Sequence, residues 1–138
     1  MSILYILNRS IEKSLDLSIK MRKFFITAKI KVLPLNDVSL KFISKTYLVV
    51  NCTFLGLLNS GENFFNKIEF SNNQIVYDLV YRKQITFFLK KAKKAGAKTY
   101  NGLGMLLYQG IRSFEIWTGK KAPIEIMTKS LYEKKSFK

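Results

Sequence analysis

The chain has 138 residues, with 24 Lys and Arg against 9 Asp and Glu, a formal net charge of +15 and no His. That length fits one domain with a real core, and 48% hydrophobic residues is too many for a disordered chain. The lack of His excludes histidine general-base chemistry, Ser-His-Asp triads and His-ligated metals, and a single cysteine, Cys52, excludes an intrachain disulfide and a Cys-cluster zinc site.

Residues 3–7 (ILYIL) are wholly apolar and read as a strand buried on both faces, of the parallel-sheet kind. Ser10 is placed to N-cap a following amphipathic helix over about 11–25, with Ile11, Leu15 and Ile19 as its stripe, widened by Leu17, Met21 and Phe24. A second strand is expected over 28–33, closed by Pro34, and an ambiguous helical stretch over 38–43. Residues 46–50 (TYLVV) and 74–81 (QIVYDLVY) read as buried strands, with a loop-like stretch over 59–73 between them. Next comes a helix with Phe88, Ala92 and Ala95 on one side and Lys90, Lys91, Lys93 and Lys94 on the others, ended by Gly96. A short strand over 97–100 precedes a longer helix with Leu103, Leu107, Gly110, Phe114 and Trp117 on its stripe, stopped at Gly119. Pro123 opens a last helix at its first position. Strands alternating with helices, without hairpin signals, indicate an α/β fold with a parallel sheet.

No segment reads as a membrane span. The uncharged run 46–61 is interrupted by Asn, Ser and Gly and falls short of the roughly 20 apolar residues a span needs. The cysteine-poor composition fits the reducing cytoplasm. The positive charge would attract any polyanion, and the run Lys90-Lys91-Ala-Lys93-Lys94 is its densest part. No aromatic residues interleave there, so a solvated helix face is favoured over a nucleic-acid surface.

In parallel α/β sheets ligands bind at the carboxyl ends of the strands. Four polar clusters fall at such ends: Asn8-Arg9-Ser10, Asn51-Cys52-Thr53, Asp78 with Tyr81, and Asn101-Gly102. In a dinucleotide fold an Arg after the second strand accommodates the 2′-phosphate of NADP, and Arg9 with Lys13 offers two cations beside a helix N-terminus. An ordinary N-cap with a solvated Arg is the alternative. Met105 and Gln109 are four apart and share one helix face. Gln109 suits the hydroxyls of a polyol, or is satisfied by backbone at the domain edge.

Taken together these clusters resemble the C-terminal part of the quinate/shikimate dehydrogenase family, over about residues 3–131. The residues carrying the resemblance are Asn8-Arg9-Ser10, Asn51-Cys52-Thr53-x-x-Gly56, Tyr77-Asp78-x-x-Tyr81 with Thr86, and Asn101-Gly102-Leu103-Gly104-Met105-Leu106-x-x-Gln109, extended by Phe114, Trp117 and Gly119. The resemblance implies NADP as cofactor, with Asn8, Arg9 and Lys13 at the adenosine 2′-phosphate and Ser10 among the cofactor-binding residues. It implies Thr53 in the turn passing the cofactor, backbone at Leu79 and Gly102 beside the nicotinamide end, and Met105 near that ring. It implies Tyr81 and Gln109 as side chains contacting shikimate, and reduction of 3-dehydroshikimate by NADPH. No catalytic residue and no metal ligand is implied on this chain. Phe54 after the Asn-x-Thr turn, Leu57, and Arg82-Lys83 after Tyr81 depart from the family pattern.

The family's N-terminal catalytic domain has no counterpart here, and neither has the first Rossmann strand with its glycine-rich turn. The expected fold is an incomplete Rossmann-like parallel sheet with C-terminal helices: residues 1–100 as a partial NADP-binding domain, 101–133 as a helical segment, and 134–138 as a frayed tail. The expected function is that of a fragment or half-enzyme, inactive alone, that self-associates or meets a separate N-terminal catalytic chain. An inactive remnant, or a basic binding protein for nucleic acid or a protein partner, is the alternative reading.

Overall fold

The computed structural model describes residues 3–55, 62–82 and 84–133. Gly56, Leu57, Lys83 and the tail over 134–138, named above, lie outside the described residues. The chain is α/β, with every strand pair parallel. It divides into two units, Met1–Lys45 with Lys67–Glu69, and Thr46–Asn66 with Phe70–Lys138.

The first unit holds strand β1 (Ile3–Asn8), helix α1 (Ile11–Phe24), strand β2 (Lys29–Pro34) and the one-turn helix α2 (Asp37–Leu40), followed by a 3-10 turn over Ile43–Lys45. β1 and β2 pair in register from Ile3↔Lys29 to Asn8↔Pro34. Ser10 caps α1 as its position predicts, accepting from Lys13 N at 3.5 Å. Two expectations fail here. β1 is not buried on both faces, since Ile3 and Leu4 are 40% and 43% exposed. Among the described residues its one strand neighbour is β2. In α1 the buried residues are Ser14 and Ser18, while Leu15, Leu17 and Ile19 stay about half exposed. Ser14 also donates to the Ser10 carbonyl at 3.3 Å, which satisfies its hydroxyl inside the turn. Segment 67–69 belongs to this unit through buried Ile68 and the Lys67–Asp37 ion pair at 2.9 Å.

The second unit holds strands β3 (Leu48–Asn51), β4 (Ile75–Asp78) and β5 (Lys98–Asn101) in the order β3-β4-β5. Its helices are α3 (Glu62–Phe65), α4 (Phe87–Lys94), α5 (Leu103–Thr118) and α6 (Ile124–Tyr132). Residues 62–65 are thus helical inside a stretch expected to be loop, because Phe65 is drawn into the core, 5.0 Å from Phe88 ring to ring. Phe88, Leu89 and Ala92 form the buried side of α4, and its lysines line the opposite side. Burying a side chain such as Phe88 is worth about 1.5–3 kcal/mol. Gly96 ends α4 at φ +84° and Gly119 ends α5 at φ +66°, both left-handed positions that disfavour other residues. Pro123 stands one residue before the first helical position of α6. The strand expected over 74–81 stops at Asp78, where the carboxylate bonds the backbone ahead of it and turns the chain out of the ladder.

Candidate functional site

Parallel register sets the site. Asn51↔Asp78 and Asp78↔Asn101 are paired positions, so the last residues of β3, β4 and β5 form one polar row at the carboxyl edge. Three of the four polar clusters expected from sequence therefore meet. The fourth, Asn8-Arg9-Ser10, ends β1 in the other unit.

Asp78 is the centre of the row and is fully buried. It accepts from Asn51 Nδ2 at 3.0 Å, Thr86 Oγ1 at 2.6 Å and Val80 N at 3.2 Å. Thr86 Oγ1 in turn accepts from Leu89 N at 3.3 Å and caps α4. Asn51 Oδ1 accepts from Thr53 N at 3.0 Å and Thr53 Oγ1 at 2.7 Å, which fixes the turn after β3. All of Asp78's donors are neutral, so the carboxylate is held by hydrogen bonds rather than by a counter-ion. Its environment is that of an anchor, since no face of it is open to a ligand. Spacing alone did not reveal that role, although the Asp78 to Thr86 interval was the available signal.

Beyond the row the chain makes a close approach. A Cβ on Gly102 would lie 2.3 Å from the Leu79 carbonyl oxygen and 3.1 Å from Tyr81 N. Gly102 N also donates to Val80 O at 3.3 Å. Leu79, Tyr81 and Gly102, three expected ligand positions, are thereby brought against one another. α5 starts here, with Leu103 N bonded to Asn101 Oδ1 at 3.3 Å. Met105 is half-buried and Gln109 is exposed one turn on, while the Tyr81 side chain is 56% exposed. Thr53 is also exposed, and Phe54 is 87% exposed. A cleft of about 370 Å³ opens near the same turn, lined by Asn101, Gly104, Thr99, Tyr77, Tyr100 and Tyr132 among others. Tyr77 and Tyr100 stack across β4 and β5 with ring centroids 6.3 Å apart. Sequence patterning had not singled out this tyrosine-lined cleft, although Tyr77 and Tyr100 occupy paired register positions.

In the other unit, Asn8 Oδ1 accepts from Ser10 N at 3.1 Å, tightening the entry to α1. Arg9 and Lys13 are exposed, and neither has an acidic partner among the described residues. Glu12 lies in the same turn. Among the described residues there is no grouping of Cys, Asp and Glu suited to a metal, and no helix long and apolar enough to cross a membrane. Partial burial pushes the Cys52 thiol above its ordinary range.

A family model described as the shikimate 5′-dehydrogenase C-terminal domain matches residues 102–132. A shikimate dehydrogenase (NADP(+)) of Methanococcus vannielii is 40% identical over 131 residues, covering 91% of this chain and 45% of the relative. The crystal structure of shikimate dehydrogenase from Aquifex aeolicus aligns with TM-score 0.71 and 34% identity, over 95% of this chain and 45% of that one. The Thermus thermophilus enzyme, in complex with NADP(H) and shikimate, aligns with TM-score 0.68 and 28% identity, over 92% of this chain and 44% of that one. The chain spans about half the length of the curated relatives it matches. It is similar to their C-terminal part over nine-tenths of its own length.

Proposed function

From the chain's homology to the C-terminal part of the shikimate dehydrogenases, we propose that it is the NADP-binding half of such an enzyme, contributing to the reduction of 3-dehydroshikimate to shikimate. The observation that carries this reading is the approach of Gly102 to Leu79 and Tyr81, which leaves room for backbone only. That turn lies at the carboxyl edge where doubly wound sheets bind nucleotides, and within the segment the family model matches.

The residues present suit a nucleotide bearing an extra phosphate. Arg9 and Lys13 have no acidic partner among the described residues and flank the capped N-terminus of α1, the arrangement that favours a phosphate. Asn8 and Ser10 shape that entry, and Thr53 borders the turn after β3. Backbone at Leu79 and Gly102 would hold the nicotinamide end, and Met105 would pack near the ring. Bound NADPH supplies the hydride. Tyr81 and Gln109, both exposed, donate and accept hydrogen bonds to the substrate's hydroxyls. In this reading the group that handles the proton lies in the portion of the enzyme that this chain does not match, which would hold donor and acceptor at near contact. A cytoplasmic location fits the single cysteine.

The test is nucleotide affinity followed by turnover. Arg9→Ala should weaken NADPH binding about tenfold and leave NADH binding unchanged, as expected for one charge-assisted contact to the 2′-phosphate. NADPH affinity that is unchanged in Arg9→Ala, or turnover of 3-dehydroshikimate by the chain alone, would overturn the assignment.

A further inference from the structure

The turn that joins α1 to β2 exposes three consecutive apolar side chains. Phe24, Phe25 and Ile26 are 82%, 57% and 87% exposed. Such a run at a surface is a fault unless it serves a contact. The turn itself is well formed. Phe25 N donates to Met21 O at 2.9 Å and Ala28 N to Phe25 O at 3.1 Å, so Ile26 and Thr27 form its crest. Arg22 Nη2 donates to Ile30 O at 2.8 Å and ties the end of α1 to β2. Cations flank the apolar tip. Lys20 stands one helical turn before Phe24, Lys23 precedes it, and Lys29 follows the turn; all three are exposed. Lys31 is exposed on the same side of β2 as Lys29. No Asp or Glu occurs over residues 17–36. Among the described residues Lys20 alone of these lysines has an acidic partner, Asp16 at 2.7 Å, in an exposed pair.

We propose that this tip docks on a membrane surface, with Phe24, Phe25 and Ile26 entering the headgroup region of an anionic phospholipid bilayer and Lys20, Lys23 and Lys29 meeting lipid phosphates. Apolar side chains beside basic ones suit that interface, because the first gain by leaving water and the second by the negative surface potential. Charge selects a bilayer over a second copy of this chain, since each copy carries +15 and would set the same cations against one another. Among the described residues no helix is long and apolar enough to cross a membrane, so the contact is peripheral. β1 and β2 pair from Ile3↔Lys29 to Asn8↔Pro34, so Lys29 marks the amino edge of the pair. α1 runs from Ser10 at the carboxyl edge back to that amino edge, about 20 Å along its 14 residues. The tip and the Arg9-Ser10 entry thus lie at opposite ends of α1, and docking of one leaves the other accessible.

The experiment floats the chain with vesicles on a density gradient, without nucleotide, so its outcome is independent of the NADPH assay. One set of vesicles is phosphatidylcholine, and the other is equal parts phosphatidylcholine and phosphatidylglycerol. The chain should bind the anionic set about tenfold more tightly or better. Phe24→Ser combined with Ile26→Ser keeps every charge and alters exposed positions only. It should weaken binding by about tenfold or more while retaining the circular dichroism of the parent. Lys23→Gln and Lys29→Gln should each weaken binding by about fivefold, a loss that shrinks as NaCl rises from about 0.1 M to about 1 M. Ile26→Trp together with Trp117→Phe should emit at shorter wavelength on the anionic vesicles, because the indole leaves water there. No binding at about 1 mM anionic lipid would overturn the proposal. So would equal binding by the parent and the Phe24→Ser, Ile26→Ser double variant, since charge alone would then carry it. An unshifted emission from the bound Ile26→Trp chain would overturn it too. Self-association without vesicles that the double variant abolishes would place a second copy on the tip, with the same result.

Discussion

Gly102→Ala tests the geometry on which the site depends. The added Cβ would meet the Leu79 carbonyl oxygen at 2.3 Å and its carbon at 2.8 Å. Ordinary contact is about 3.5 Å, so the backbone of residues 79–81 would have to retreat by about 1 Å. That segment is tethered on three sides, by Leu79 N to Asn51 O at 3.1 Å, Val80 N to Asp78 Oδ1 at 3.2 Å and Gly102 N to Val80 O at 3.3 Å. Weakening one such bond costs about 1 kcal/mol, and overpacking adds about 1–3 kcal/mol. The expected loss is therefore about 2–4 kcal/mol, read from urea unfolding followed by circular dichroism at constant m. Gly104→Ala is the control two residues on, where a Cβ meets no atom within 4 Å inside α5. It should be neutral to stabilising by up to about 1 kcal/mol, the helix preference for Ala over Gly. A loss below about 0.5 kcal/mol for Gly102→Ala, or equal losses at both positions, would refute the close approach.

Asp78→Ala strips the acceptor from three donors around a fully buried site and should cost about 3–5 kcal/mol in the same unfolding assay; a loss under about 1 kcal/mol would mean that the network is not holding the strand ends. Ser10→Ala removes a long cap of 3.5 Å and should cost only about 0.5–1 kcal/mol, at the low end for such caps, measured by thermal unfolding. The Cys52 side chain is exposed, yet partial desolvation raises its thiol, so iodoacetamide should alkylate it more slowly at neutral pH than a free cysteine, with a rate that rises as pH rises. The sign for stability follows. The folded chain holds the thiol proton more tightly than the unfolded chain, so the Cys52 contribution is fully present below the unfolded pKa and is lost as pH rises from there through the folded pKa. A Cys52→Ser variant should lack that part of the alkaline decline.

The helices and turns were readable because their signals are local. Ser10, Gly96 and Gly119 act through hydrogen bonds and dihedral angles within a few residues of themselves, and each sits at the helix end its chemistry requires. The strand-end clusters were also readable, since parallel register forces Asn51, Asp78 and Asn101 into one row once the strands are placed. The roles within the row were not. Asp78 and Tyr81 look alike as polar residues near a strand end, but one is sealed beneath Thr86 and the other is 56% exposed, and that difference is set by tertiary packing. The end of β4 was misplaced by three residues for the same reason: residues 79–81 keep an apolar strand pattern, yet they serve as the wall against which Gly102 packs.

The remaining disagreements between pattern and burial share one direction. Ile3 and Leu4 of β1, Leu15 and Ile19 of α1, and Leu48 and Val50 of β3 are apolar where the fold leaves them exposed. Random surface apolar residues would be scattered singly, but here they fall on regular elements with intact spacing. Among the described residues β1 pairs with β2 alone, and β3 with β4 alone. Apolar side chains at these positions stabilise a protein only when covered, at about 25 cal/mol per Å² removed from water. The apolar spacing of these elements is therefore not spent on burial among the described residues.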